Sequence, residues 1–205
     1  MLSTLSVLLC LLSAPGNSAQ PVRLAPQIAA WTIDPGHSAA SFTVRHMLVA
    51  NVRGEFDGPT GTIEVDPKDI VGTLKVRARI DARTINTRNA ERDQDLKSPN
   101  FFDVAKFPAI TFVSTRVANG SAGHLNLVGD LTMHGVTREV TLDAEIPTQE
   151  VIDLDGRRRV GISATTVVDR RDFGLRYNEM LEAGGAVVGN EVHITLDIEV
   201  TRSAR

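Results

Sequence analysis

The side chains that could do chemistry in this sequence are few and scattered. Its five histidines, His37, His46, His124, His134 and His193, show neither the i, i+4 helical nor the i, i+2 strand spacing that aims two imidazoles at one metal ion. The one cysteine, Cys10, lies in an apolar N-terminal run, so disulfides, thiolate metal sites and cysteine nucleophiles are excluded from the rest of the chain. Gly161-Ile162-Ser163-Ala164-Thr165 ends in threonine where a nucleophile elbow needs glycine, and it lies within a strand-like run. Gly184, Gly185 and Gly189 lack the spacing of a dinucleotide fingerprint. Asp153, Asp155 and Gly156 fail as a calcium loop, because Val151 and Ile162 hold the first and twelfth ligand positions. For catalysis only Asp34 and His46 remain, and His46 shares the parity of the apolar Phe42 and Val44. The inventory points to no catalytic centre, no metal and no cofactor.

Charge narrows the field further. Among 205 residues, 22 basic and 25 acidic side chains leave a net charge of −3. That balance lacks the basic field of a nucleic-acid binder. Arg157-Arg158-Arg159 follows a turn and reads as a solvated edge. The run from Asp169 and Arg170 through Arg171 and Asp172 to Phe173 and Gly174 reads as a self-neutralising loop across one barrel mouth.

The elements that must position these residues are strands. Val76, Ala78 and Ile80 alternate with charged residues, as do Leu142, Ala144 and Ile146, and Val192, Ile194, Leu196, Ile198 and Val200 alternate with His193, Thr195, Asp197 and Glu199. Such strict alternation marks half-buried strands. Weaker alternation groups Ala40, Phe42, Val44 and His46; Leu125, Leu127, Leu131 and Met133; and Val160, Ile162, Ala164, Thr166 and Val168. Val52 with Phe56, and Ile63 with Val65, suggest two shorter strands. Residues 109–117 are β-rich, but either face could point inward. Turn pairs at Gly58-Pro59, Asn119-Gly120, His134-Gly135 and Asp155-Gly156 separate the runs. Residues 86–98 read as a charged helix that Pro99 stops, and a short helix is expected around Asn178 and Leu181.

One-sided antiparallel strands must hide their apolar faces, and closure into a barrel also removes exposed edges. A sandwich would bury the same faces. The favoured reading is all-β: an antiparallel, lipocalin-like barrel of about eight strands with one or two short helices alongside. Aromatics make up only 4% of the chain, yet Phe101, Phe102, Phe107 and Phe112 crowd together. Rings on a loop leading into a strand either line something concave or form a satellite core under the helix.

That aromatic segment, Asn100-Phe101-Phe102-Asp103-Val104-Ala105-Lys106-Phe107-Pro108, resembles the signature stretch of the YceI-like family of secreted lipid- or polyisoprenoid-binding proteins. Trp31, Asp34, Pro35, His37 and Ser38 lead in the same order into Phe42, Val44, His46, Arg53, Gly54 and Phe56. Gly129-Asp130-Leu131-Thr132-Met133-His134-Gly135 and Arg171-Asp172-Phe173-Gly174-Leu175 match two further blocks. The resemblance implies a barrel whose interior holds one isoprenoid or other long-chain lipid, without a catalytic centre, in a protein that can form a homodimer. Phe42, Val44, His46, Phe56, Ile80, Phe102, Phe112, Leu131, Leu142, Ile162, Phe173 and Leu196 are expected to line that interior or its mouth.

Residues 1–19 carry no charged side chain and include an apolar run too short to span a bilayer, followed by small residues. They resemble a secretory signal cut after Ala19. The expected organisation is a signal at 1–19, a linker at 20–30 and the barrel domain at 31–202, in a periplasmic or secreted protein with no membrane span. Two other readings stay open: an envelope stress-protective structural protein, and an enzyme acting on an isoprenoid-type lipid.

Overall fold

A computed structural model describes residues 27–147, 149–178 and 187–203. The expected signal segment and most of the expected helix around Asn178 and Leu181 lie outside the described residues. The strands are β1 (Ala29–Ile33), β2 (Ala39–His46), β3 (Ala50–Phe56), β4 (Thr60–Val65), β5 (Lys75–Asp81) and β6 (Ala109–Asn119). They continue with β7 (His124–Met133), β8 (Val136–Glu145), β9 (Val151–Ile152), β10 (Arg157–Asp169) and β11 (Val188–Ser203). Thus β1 begins inside the stretch read as linker.

Every pairing among these strands is antiparallel. The order β1-β4-β5-β6-β7-β8-β10-β11 returns to β1, closing an eight-stranded barrel. Closure depends on the length of β11. One edge pairs with β10 over its whole course, from Arg157 opposite Ser203 to Asp169 opposite Glu191. The other edge is shared: β1 takes Val200 and Thr201, and β2, with β3 beside it, takes the first half.

The ambiguity of residues 109–117 has a local cause. In β6 the register slips between Ser114 and Arg116, so Thr115 is an extra residue and the inward parity changes. Ile110 and Phe112 point inward before the bulge, and Val117 packs against the core after it. The displaced polar groups are used: Val76 N–H donates to Ser114 Oγ at 2.8 Å, and Thr115 Oγ1 donates to Val128 O at 3.3 Å.

Among the described residues two helices lie beside the barrel, α1 (Ile70–Thr73) and α2 (Ala90–Lys97). The second forms within the expected charged stretch because Asn89 caps it, its side chain accepting from Arg92 N–H at 2.9 Å. Glu91 and Asp93 in the first turn and Lys97 in the last suit the helix dipole. Asp93 also accepts from the N–H and hydroxyl of buried Thr87 at 2.8 and 2.6 Å, which ties the helix to the chain leaving β5. Among the described residues no helix is long and apolar enough to cross a membrane.

The core falls into two clusters. Trp31, Ile33, Ile63, Leu127 and Val200 belong to one, and Phe56, Ile110, Met133, Phe173 and Leu175 to the other.

Candidate functional site

Between the two clusters lies a partly enclosed cavity of about 200 Å³. Its wall takes residues from both, including Val76, Phe112 and Leu142 from the first and Phe56, Ile110 and Met133 from the second. The walls are aliphatic and aromatic; Ser41, Thr111, Thr166 and Arg170 are the polar side chains among the lining residues.

Strand pairing explains how the wall is assembled. Phe42 lies opposite Ile194, Val44 opposite Val192 and Ala40 opposite Leu196, so one inward row of β2 meets one of β11. On the other side, Ala78 lies opposite Phe112 and Ile80 opposite Ile110, and Phe112 in turn opposes Leu131. Small residues decide where the rings go. A Cβ added at Gly54 would stand 2.4 Å from the Phe42 ring, and one at Gly129 would stand 2.5 Å from the Phe112 ring. Both glycines therefore let a ring lie flat against the wall instead of crossing the lumen. Phe42, Phe56 and Phe102 continue this aromatic surface, with centroids 5.8 and 5.9 Å apart. From α2, Leu96 completes it.

Phe42, Val44, Phe56, Ile80, Phe102, Phe112, Leu131, Leu142 and Leu196 all border the cavity. His46, Ile162 and Phe173 do not. His46 has the inward parity but is the last residue of β2, beyond the lining rows. Ile162 packs against the first cluster. Phe173 sits on a 3-10 turn, Arg170–Phe173, and is 1% exposed within the second cluster. Alternation identifies the face of a strand and not the height along the barrel, so it could not separate His46 and Ile162 from the rest, while Phe173 lies beyond the end of β10, where alternation does not apply. It also missed Leu96, Leu175 and Val188, which lie outside the alternating runs. Of the crowded phenylalanines, Phe107 packs instead edge-on to His134, 4.9 Å between centroids.

Arg170 was hidden for another reason. The flanking Asp169 and Arg171 do neutralise one another, at 2.5 Å, but Arg170 turns inward and is 5% exposed. Its Nε donates to Gly189 O at 2.9 Å, and Nη1 to Leu175 O at 2.5 Å and Tyr177 O at 2.9 Å. Burial lowers its pKa from the ordinary guanidinium value. The side chain stitches together the backbone at one end of the cavity.

The other end of the barrel is closed by Trp31, with the Arg202 guanidinium stacked over its ring at 4.7 Å. Outside it, Arg159 gathers acids from three segments. Its Nε donates to Asp153 Oδ2 at 2.6 Å and its Nη1 to Asp34 Oδ2 at 2.9 Å, and Nη1 also bonds Glu199. His37 Nδ1 is 3.0 Å from Asp34 Oδ2. The His37 hydrogen bond first, and then that from Arg159, lower the Asp34 pKa to about 2. Asp34, His37 and Glu199 bring possible ligand atoms within 4.8 Å of one another, but the Arg159 guanidinium already bonds both carboxylates. Of the two candidate reactive groups, Asp34 follows the end of β1 and His46 ends β2, and neither borders the cavity.

Comparison with known proteins agrees with this architecture. The family model described as YceI-like domain matches residues 31–200. The UPF0312 protein SAS2572 of Staphylococcus aureus strain MSSA476 is 36% identical over 173 residues, covering 84% of this chain and 98% of that protein. Burkholderia cenocepacia BcnA superposes with a TM-score of 0.70 at 20% identity, over 82% of this chain and 98% of its own. The Campylobacter jejuni YCEI protein gives 0.64 at 24%, over 78% and 90%. A polyisoprenoid binding domain from Saccharophagus degradans gives 0.57 at 16%, over 83% and 97%. With nearly the whole barrel covered by the family model, the chain belongs to the YceI-like domain family.

Proposed function

We propose that this protein binds a long apolar lipid, a polyisoprenoid or similar amphiphile, in its barrel, and sequesters or carries it in the cell envelope as a periplasmic or secreted protein. The observation that carries the reading is the cavity: about 200 Å³ of space walled almost wholly by hydrocarbon. The description of the Saccharophagus degradans neighbour as a polyisoprenoid binding domain supports it.

The mechanism is physical. Taking about 400 Å² of hydrocarbon out of water is worth about 10 kcal/mol at ~25 cal/mol per Å², before the cost of ordering chain and protein. Apolar walls supply this without directional contacts, so chain identity is loosely specified: one methylene changes the energy by only ~0.8 kcal/mol. A void of ~150 Å³ takes up a molecule the size of benzene. The space seen here therefore holds one stretch of a chain, and a long isoprenoid enters by moving the rings of Phe42, Phe56 and Phe102 and extends past the mouth. No step requires a reactive group, and the reading is of a non-enzyme.

Native mass spectrometry of gently purified protein, followed by lipid extraction, is the direct test. A stoichiometric long-chain lipid is expected; empty protein, or a variable mixture below stoichiometry, would remove the cargo role in favour of a structural one. Incubation with the extracted lipid should leave it covalently unchanged. The same spectra report whether the homodimer forms. Phe102→Asp should abolish lipid retention while leaving a folded β protein, and undiminished retention would take Phe102 out of the site.

A further inference from the structure

The β2–β3 hairpin ends in a turn built against local preference. Met47 and Leu48 have φ of 48° and 63°, and Val49 N–H donates to His46 O at 3.1 Å. Successive positive φ values mark the mirror-image hairpin turn, which favours Asn and Gly because bulky side chains are strained there. The β7–β8 turn keeps closer to that preference, with His134 and Gly135 at 52° and 73°. At the β2–β3 tip, two bulky apolar residues occupy these positions instead. Met47, Leu48 and Val49 are 42%, 62% and 77% exposed. The tip thus combines backbone strain with apolar surface held in water. It is nonetheless fixed in place: Arg45 donates from Nε and Nη2 to Leu48 O at 3.1 and 2.8 Å, and Met47 N–H donates to Val187 O at 2.8 Å.

Position, charge and size together indicate what covers this tip. His46, which precedes it, pairs with Val188, and Val188 and Val44 border the cavity. Arg45 and Arg53 lie on the outward face of the same hairpin; Arg45 also donates to Asn51 Oδ1 at 3.3 Å and shares a surface hollow with Asp169 and Glu191, while Arg53 has no carboxylate partner among the described residues. Three side chains on a convex turn offer far less than the roughly 800 Å² per partner of a stable protein interface. They suit shallow insertion at the headgroup–acyl boundary, with cations meeting anionic lipid.

We propose that the β2–β3 tip docks the protein on an anionic bilayer surface. Met47, Leu48 and Val49 enter the boundary region while Arg45 and Arg53 face lipid phosphates, and the cavity end bordered by Val44 and Val188 is turned toward the membrane. Exchange of cargo at that contact rests on the lipid-binding reading; docking does not.

The test is flotation of the full chain with vesicles of phosphatidylglycerol and phosphatidylethanolamine, and separately with phosphatidylcholine alone, with bound lipid measured in parallel by mass spectrometry. The unaltered protein should float with the anionic vesicles, and less so at high salt. Met47→Asn together with Leu48→Gly restores the preferred turn chemistry. This variant should melt at a higher temperature yet partition about tenfold more weakly or worse. Arg53→Gln should weaken partition about fivefold on anionic vesicles and leave phosphatidylcholine unaffected. Docking through the tip is overturned if the unaltered protein stays behind or if the double variant floats undiminished. It is equally overturned by a dimer that the double variant dissociates without changing flotation. Protein that floats but carries no lipid keeps the docking site and removes the cargo reading; lost flotation with cargo retained assigns the defect to the hairpin.

Discussion

At the end of the barrel formed by β1, the start of β10 and the end of β11, the inward side chains pack into the first cluster; between β2, β5 and β6 they border the cavity. The strands in both halves alternate in the same way, and both have small inward residues: Ala144 and Ala164 in one, Ala40 and Ala78 in the other. What differs is what stands opposite them. In the packed half Trp31 reaches into the space, 7% exposed, and Arg202 closes over it. In the hollow half the rings that could have filled the lumen lie back against Gly54 and Gly129. A barrel of about eight strands is just wide enough for either outcome, so a single large side chain, or two glycines, decides between core and cavity.

If Trp31 is what makes the first half a core, Trp31→Ala should lose about 3–5 kcal/mol of unfolding free energy, read from the denaturant midpoint, while bound lipid at neutral pH is retained. A loss below about 1 kcal/mol would mean that the plug is dispensable and the two halves are not distinct. A pair of identical substitutions sharpens the contrast. Ala164→Phe in the packed half should overpack and cost about 1–3 kcal/mol. Ala78→Phe puts the same ring into empty space, so it should cost less than about 1 kcal/mol while displacing the lipid. Equal costs at the two positions would break the comparison.

Much of this arrangement was readable before the structure. The inward faces of β5, β8 and β11 follow directly from alternation, because a half-buried antiparallel strand leaves one residue in two facing solvent. The helix could be read from its charged run, although the cap proved to be Asn89. Three things were not legible, each for a physical reason. In β6 the bulge at Thr115 changes parity in mid-strand, so neither face is consistently apolar. Phe173 and Leu175 lie after the end of β10, where period two no longer applies; only Leu175 reaches the cavity. Arg170 sits among charges that cancel, and only its burial distinguishes it from Arg171. The hollow itself was an inference from resemblance, since alternation is blind to whether facing side chains meet.

The two halves also carry one strongly acidified carboxylate each, and this yields the smallest and most discriminating test. Asp34, at the packed end, and Asp81, at the end of β5, both titrate at about 2 against an ordinary 3.8. A carboxylate whose folded pKa is depressed contributes stability above its unfolded pKa and loses that contribution as the pH falls through the folded value. Both should therefore weaken the protein between about pH 4 and pH 2. Their partners differ. Asp81 is held mainly by Arg83, a neighbour two residues away with a side chain 62% exposed, so salt screens the pair and its release frees little. Asp34 is held first by His37, whose side chain is also 62% exposed, and then by Arg159, 23% exposed, whose guanidinium reaches Asp153 and Glu199 as well and so joins the β1–β2 corner to β10 and β11. Asp34→Asn should flatten the acid limb of a stability-against-pH curve more than Asp81→Asn does, and the difference should persist in high salt. If the two variants trace the same limb, the Arg159 cluster is an ordinary surface ion pair, and closure of the packed end rests on Trp31 and its neighbours alone.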